Sequence, residues 1–355
     1  MDMVTILKSA VQRGSSDIHI CVGKPPMMRL NGEMVPIMDN LPSLNAEQTK
    51  ALVYSTLNSE QRSRFEQTWE LDSSFSLNGV SRFRLNVLNT RFGVEAVMRV
   101  VPSVIPTPEQ LGLSPSIVNF AKLPKGLVLV TGPTGSGKST TLASLINLIN
   151  SSMRKHILTI EDPIEFTYEP KSCVVRQREV GQHTKSFAAA LRSALREDPN
   201  VILVGEMRDL ETIQLTITAA ETGHLTFATL HTQDAPSTVD RIVDVFPTHQ
   251  QEQIRVQLAS CLQGVVSQIL IPRKDGNGRV AAREIMVMTP AIANLVREGK
   301  THMIYSAVET GAKFGMMPMD RALAMLVTQN AISYETALSK AHDKETIMKL
   351  CGQMM

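Results

Sequence analysis

The chain has 355 residues, of which 43% are hydrophobic and 4% aromatic, and its formal net charge is +2. That is long for one hydrophobic core, so two domains are expected. A charge so close to neutral, with so few aromatic platforms, argues against a nucleic-acid binder or a surface drawn to anionic lipid.

The opening stretch, MDMVTILKSAVQRG, has an acid at Asp2 and a short helical apolar pattern, so it does not read as a signal peptide. No run approaches the ~20 apolar residues of a membrane span. Cys21, Cys173, Cys261 and Cys351 stand far apart with no C-x-x-C, which reads as reduced thiols rather than a zinc site or disulfide framework. A soluble cytoplasmic protein is expected. MMRL and EMVPI flank Asn31-Gly32, and FSL and SRFRLNVL flank Asn78-Gly79; both pairs predict β-hairpins. These signals, with helical patterns at the ends, set residues 1–101 apart as a first domain. Residues 101–115, VPSVIPTPEQLGLSP, carry four prolines, and a linker is expected over 102–118. Beyond it lie the continuous apolar runs GLVLV, HILTI, VILVG and LTFATL, with the helical stretches SFAAALRSALRED and LETIQLTITAAET among them. That alternation predicts an α/β domain over 119–289, a parallel sheet with helices on both faces. A hairpin, VVSQILIP and RVAAREIMV around Asp275-Gly276-Asn277-Gly278, follows the sheet, and residues 290–355 read as helical.

The run VLVTGPTGSGKSTT fits G-x-x-x-x-G-K-[ST] without a gap, over Gly132, Pro133, Thr134, Gly135, Ser136, Gly137, Lys138, Ser139 and Thr140. Glycines there let backbone N–H groups wrap an anion, and a helix N-terminus favours the same charge. Lys138 would reach the β- and γ-phosphates, and Ser139 would put its hydroxyl on Mg²⁺. The pattern predicts a nucleoside triphosphate site. No N-K-x-D, H-R-D or D-F-G is present, which argues against a Ras-type GTPase or a protein kinase and leaves ATP as the expected nucleotide.

In open α/β sheets the ligand lies at the carboxyl ends of the strands. HILTI is followed by Glu161 and Asp162, VILVG by Glu206, and TFATL by His231, while His224 precedes that last strand. Carboxylates so placed can hold Mg²⁺-bound water or orient an attacking water, so Glu161 and Glu206 are candidates for the chemistry and for the metal. Asp209 and Glu211 read as solvated loop acids. His231 suits a phosphate sensor. Seven residues of extended chain span ~23 Å, so His224 and His231 cannot share one metal ion, and a core histidine remains open for His224.

The ordered set GPTGSGKST, ILTIEDPIEF, REDPNVILVGEMRD and TAAETGHLTFATLHTQDA resembles the secretion-type hexameric P-loop ATPases, and within them the type IV pilus retraction ATPases. RGSSDIHICVGKPPMMRLNGEM, VDRIVDVFP and YSAVETGAKFGMMPMD extend the resemblance over nearly the whole chain. It implies a PAS-like α+β N-terminal domain, a RecA-like ATPase domain with a helical C-terminal part, and a homo-hexamer with ATP and Mg²⁺ between neighbours. It assigns Glu161 and Asp162 to an acidic box, Glu206 to the Walker B acid as catalytic base or water-orienting group, and His224 and His231 to a histidine box. It also implies arginines from the first domain acting on the nucleotide, for which Arg82, Arg84 and Arg99 are the candidates. Arg82 and Arg84 alternate with Phe83 and Leu85 and so leave one strand face.

The implied function is ATP hydrolysis that withdraws pilin subunits and drives twitching motility, delivered to a platform protein at the cytoplasmic face of the inner membrane, with a second pilus ATPase as a possible partner. Extension and secretion ATPases of the family usually carry a longer N-terminal extension and a four-cysteine metal loop, which this sequence lacks. One departure stands out: the retraction motif AIRNLIRE is AIANLVRE here, with Ala293 in place of arginine. An extension or secretion motor, an accessory retraction ATPase, a non-hydrolysing assembly module and a DNA translocase are the alternatives.

Overall fold

The structure is a computed structural model that describes residues 2–30, 32–39, 41–101, 104–276 and 278–354. Asn31 and Asn277, expected in turns, and Pro102 and Ser103, expected in the linker, lie outside the described residues.

Asp2 accepts from the amide of Thr5 and starts α1 (Met3–Gln12), whose Met3, Ile6, Leu7 and Ala10 recur at helical spacing and are buried. Strands β1 (Asp17–Ile20), β2 (Met27–Leu30) and β3 (Glu33–Pro36) follow. Helices α2 (Ala46–Tyr54) and α3 (Ser59–Thr68) each open on an asparagine capping box, at Asn45 and Asn58. Strands β4 (Glu70–Leu77), β5 (Ser81–Thr90) and β6 (Gly93–Val101) complete an antiparallel sheet in the order β3-β2-β1-β6-β5-β4. Alternation puts Phe83, Leu85 and Val87 of β5 in one core with Ile6, Leu7, Val53 and Phe65 of the helices. This is the first unit, Met1–Val104 with Glu165–Thr167.

The second unit takes Ile105–Ile164 and Tyr168–Met355. The expected linker is therefore shorter than 102–118. Leu113, Ile117 and Phe120 are buried, and α4 (Pro115–Phe120) begins inside the proline-rich stretch, so apolar burial and not free chain governs it. Next come β7 (Gly126–Thr131), α5 (Lys138–Ser152), β8 (His156–Glu161), β9 (Val174–Glu179), α6 (Phe187–Ala194) and β10 (Val201–Val204). Then follow α7 (Leu210–Glu221), β11 (Leu225–Leu230), α8 (Ala235–Asp244), α9 (Thr248–Cys261), β12 (Leu262–Pro272) and β13 (Arg279–Val287). The sheet order is β13-β12-β7-β11-β10-β8-β9, parallel except where β13 pairs antiparallel with β12. β7, β10 and β11 are buried at every residue, as strands covered on both faces must be. Leu127, Leu129, Ile202 and Ala228 share a core with α6 to α9. Leu142, Leu145, Ile146 and Ile149 of α5 are buried separately from that core.

The chain ends in α10 (Pro290–Arg297), α11 (Ile304–Glu309), α12 (Met319–Thr328), α13 (Tyr334–Lys340) and α14 (Lys344–Met354). Ala293 packs in the main core of the unit beside Ile292 and Val296. A smaller core joins Leu323 and Ala324 of α12 and Ile347 of α14 to Ile271 and Ala282 of the hairpin. Two buried acids hold this end. Glu284 accepts from the amide of Ala235 at 2.8 Å, and Asp320 accepts from the amides of His342 at 2.7 Å and Asp343 at 2.9 Å. The thiols are withdrawn from water: Cys173, Cys261 and Cys351 are buried and Cys21 half-buried. Burial pushes Cys261 up to about 12 and Cys21 up to about 11. Among the described residues, no helix is long and apolar enough to cross a membrane.

Candidate active site

β7 ends at Thr131, and the chain leaves it through three glycines in the left-handed region, Gly132 (φ 136°), Gly135 (φ 77°) and Gly137 (φ 86°). A Cβ on Gly132 would stand 2.1 Å from the carbonyl oxygen of Gln268, so that position also has no room for a side chain. Pro133, Thr134 and Gly135 form the exposed crest, and Gly137 caps α5, whose first residue is Lys138. The Lys138 Nζ donates to the carbonyl oxygens of Gly132 at 2.8 Å and Pro133 at 3.2 Å. Burial lowers its pKa, and the negative charge of Glu206 opposes that shift. Ser139 is exposed at the helix start, Thr140 half-buried, and the buried Ser136 Oγ has no partner. This donor set fits a polyphosphate: a helix N-terminus, one lysine, an exposed hydroxyl and an orphaned one.

The parallel register brings the strand ends to the same edge. Leu230 of β11 pairs with Thr131, Ala228 with Val204 of β10, and Val204 with Ile160 of β8. Glu206 follows β10 and His231 follows β11, and they meet, with His231 Nε2 at 3.0 Å from Glu206 Oε1. Arg208, which sequence reasoning passed over, takes the other oxygen at 2.7 Å. Burial works to raise the Glu206 pKa, but the Arg208 bond and charge and the His231 imidazole outweigh it and hold the carboxyl below its ordinary value. Glu161 ends β8, buried, and accepts from Thr159 Oγ1 at 2.6 Å and from Gln177 Nε2 at 3.4 Å. Asp162 follows it, and its charge is felt at Arg208. Both Glu206 and Glu161 are thus engaged, so a metal would reach either only through water or by exchange of these partners. Among the described residues, no three His, Cys, Asp or Glu gather as a metal cage, which an ion held by phosphates, a hydroxyl and water does not need.

One expectation needs correction. His224 is not brought to this edge. It precedes β11, whose first residue Leu225 pairs with Gly126 at the far end of β7, and its Nδ1 lies 2.9 Å from the Ala219 carbonyl. Strand direction puts its imidazole ~20 Å from the phosphate loop. Asp209 and Glu211 are exposed, as expected of solvated acids; Asp209 also caps α7 through the amide of Thr212 at 2.9 Å, and Glu211 makes a surface pair with Arg192. Gln268 is a second residue missed from the sequence. Its Nε2 donates to the Ser136 carbonyl at 2.6 Å and its Oε1 accepts from Thr141 at 2.9 Å, clamping the phosphate loop from β12. The available signal was a glutamine inside the apolar run VVSQILIP.

Arg82, Arg84 and Arg99 belong to the first unit. Arg84 pairs across the sheet with Arg99, so all three occupy its polar face. Arg82 donates to Ser74 at 2.6 Å, Arg84 to Glu165 at 3.0 Å and Arg99 to Asp17 at 2.8 Å.

The family model described as Type II/IV secretion system protein matches residues 2–342. The chain is 52% identical over 341 residues to the type IV pilus retractation ATPase PilT of Pseudomonas aeruginosa, covering 96% of this chain and 98% of that protein. It is 51% identical over 341 residues to the twitching motility protein of Neisseria gonorrhoeae, covering 96% of this chain and 90% of that protein. The crystal structure of the pilus retraction motor PilT with bound ADP matches with a TM-score of 0.92 at 46% identity, over 98% of this chain and 99% of that one.

Proposed function

Because the chain belongs to the Type II/IV secretion system protein family, we propose that it is a retraction ATPase of type IV pili, hydrolysing ATP to withdraw pilin subunits and drive twitching motility. That it is an ATPase follows from its family and fold. One observation carries the chemistry. The Glu206 carboxylate is 3.0 Å from His231, and its charge reaches Lys138, so acid, imidazole and phosphate-loop cation form one cluster.

In this reading the backbone of Gly132 to Thr140 cradles the phosphates, and Lys138 exchanges the carbonyls of Gly132 and Pro133 for phosphate oxygens. Mg²⁺, held by the Ser139 hydroxyl and by water near Glu161 and Glu206, would neutralise phosphate charge when bound. Glu206 orients the attacking water and accepts its proton, while His231 fixes one carboxylate oxygen. Glu161 and Asp162 set the electrostatics behind it. Arg82, Arg84 and Arg99 act on a neighbour's nucleotide in a homo-hexamer, where a well-placed arginine is worth on the order of 10³–10⁵ in rate. The work is delivered to a pilus platform protein at the cytoplasmic face of the inner membrane, with a second pilus ATPase as an optional partner.

A deletion strain scored for surface pili and for motility tests this. Excess non-retracting pili with lost twitching is the expected result. Bald cells would replace retraction with extension, and unchanged twitching would leave only an accessory role.

A further inference from the structure

Three buried polar side chains lie in one row across otherwise apolar strands: Thr131 of β7, Ser267 of β12 and Glu284 of β13. Thr131 pairs with Ser267 and Ser267 with Glu284, so the three share the sheet face that carries Leu129, Val265 and Met286 into the main core. Thr131 Oγ1 donates to Ser267 Oγ at 2.8 Å and so has its partner without Glu284.

Glu284 ends the row against two helix starts. Its Oε1 accepts from the amide of Ala235, the first residue of α8, at 2.8 Å, and the amide of Met319, the first residue of α12, also favours its charge. An amide in the first turn of a helix has no partner within the helix, so an acceptor supplied from outside fixes where the helix begins. Only Thr232, Gln233 and Asp234 separate Ala235 from His231, which lies 3.0 Å from Glu206. That tether is bonded to the helix it precedes: Asp234 accepts from the amide of Ser237 at 2.7 Å, and the hydroxyls of Thr232 and Thr238 meet at 2.6 Å.

An acid is a costly choice for this joint. Its Oε2 is buried without a partner. Asp234 from α8 and Asp320 from α12 face it with charge of its own sign, α11 presents the neutral Tyr305 phenol, and β12 presents Ser267. Burial, with the Asp234 and Asp320 charges behind it, pushes the carboxyl up to about 7. Below that pH it is neutral; above it, ionisation between two like charges loosens its hold on α8.

We propose that Glu284 is a positioning residue for ATP hydrolysis: by fixing the first amide of α8 beside the start of α12 it sets the reach of His231 to Glu206, and so makes turnover answer to the helical end of the chain. The assignment rests on the ATPase reading above. The Glu284 side chain leaves the sheet on the face opposite Gln268, which clamps the phosphate loop, so it acts on turnover and not on ATP binding.

Steady-state ATP hydrolysis by wild type, Glu284→Ala and Glu284→Gln, from about pH 6 to about pH 8, tests this. Glu284→Ala orphans a buried amide, lowers kcat by about 10-fold at the acid end and leaves KM within about twofold. Glu284→Gln keeps an acceptor for Ala235 and restores kcat there to within about threefold of wild type. Across the range, wild-type kcat divided by that of Glu284→Gln falls by about fivefold, because only the wild type ionises at this position. Groups common to both proteins, His231 and Glu206 among them, cancel in the ratio. A flat ratio overturns the assignment, as does a Glu284→Ala loss that falls on KM or that Glu284→Gln does not restore. If Glu284→Ala fails to fold, the ratio for Glu284→Gln decides by itself. A wild-type protein that hydrolyses no ATP sinks the ATPase reading instead, a separate outcome.

Discussion

Glu284 makes the hold on the helical end measurable. Its side chain is 1% exposed, one oxygen accepts from the Ala235 amide at 2.8 Å, and the other has no partner. Burial pushes its carboxyl up from 4.5 to about 7, with the Asp234 and Asp320 charges adding to the rise and the Ala235 and Met319 amides opposing it too weakly. The Tyr305 hydroxyl donates to Asp320 beside it and carries no charge at neutral pH. Between those two pH values the unfolded chain ionises Glu284 while the folded chain keeps it protonated. Stability is therefore fully present below the unfolded value and is lost as pH rises through about 7. At about 1.36 kcal/mol per pH unit, the window is worth roughly 3 kcal/mol. Glu284→Gln keeps the size and an acceptor oxygen for Ala235 but cannot ionise. Urea unfolding followed by far-UV circular dichroism, repeated from about pH 5 to about pH 8, should show the variant gaining on wild type by roughly 1 kcal/mol per unit. Trp69, the one tryptophan of the sequence, sits in the first unit and reports a transition that should not move. Parallel curves, with a difference changing by less than about 0.3 kcal/mol per unit, would refute the reasoning.

Four further outcomes are expected. Glu206→Gln retains ATP binding and loses turnover, and ATP at ~100 times its dissociation constant still stabilises it by about 2.7 kcal/mol; hydrolysis at the wild-type rate would remove Glu206 from its role. Lys138→Ala weakens ATP binding itself, and tight binding retained in a calorimetric titration counts against the phosphate loop. Gln268→Leu leaves the buried Ser136 carbonyl and the Thr141 hydroxyl without partners and costs roughly 2–4 kcal/mol with weaker nucleotide affinity; a loss under about 0.5 kcal/mol by denaturant unfolding argues against the clamp. Mixing Glu206→Gln with a variant lacking Arg82, Arg84 and Arg99 restores hydrolysis in part if the arginines act between subunits. Flat activity, with subunit exchange shown by labelled chains, returns those arginines to a solvated sheet face.

The interior strands were legible because parallel strands buried on both faces read as unbroken apolar runs, and β7, β8, β10 and β11 all did. β9 was not, since at the edge of the sheet VVRQRE alternates exposed and covered residues and contains as many charges as a loop. The phosphate loop and the acids after β8 and β10 were legible because strand ends can be read in order. His224 was set at the opposite end of β11 from His231 by the sequence itself, and only the family resemblance drew it into the site. Gln268 and Arg208 were out of reach for another reason. Gln268 meets Ser136 across 132 residues, and Arg208 looked like one more exposed charge until Glu206 was seen between it and His231. The proline-rich stretch was over-read as linker because its turns were visible and the burial of Leu113 and Ile117 was not.

The four native thiols make this chain a quiet background for site-specific labelling. Alkylation needs thiolate, and burial holds Cys21 at about 11 and Cys261 at about 12. The Cys173 Sγ donates to the Met153 carbonyl at 3.0 Å and is buried, and burial raises Cys351 as well. A cysteine introduced at an exposed place on α9, such as Val256 at 50% exposure, would react with a maleimide dye ahead of all four. Donor and acceptor dyes carried there on separate preparations would report whether chains enter a common assembly, without removal of any native cysteine.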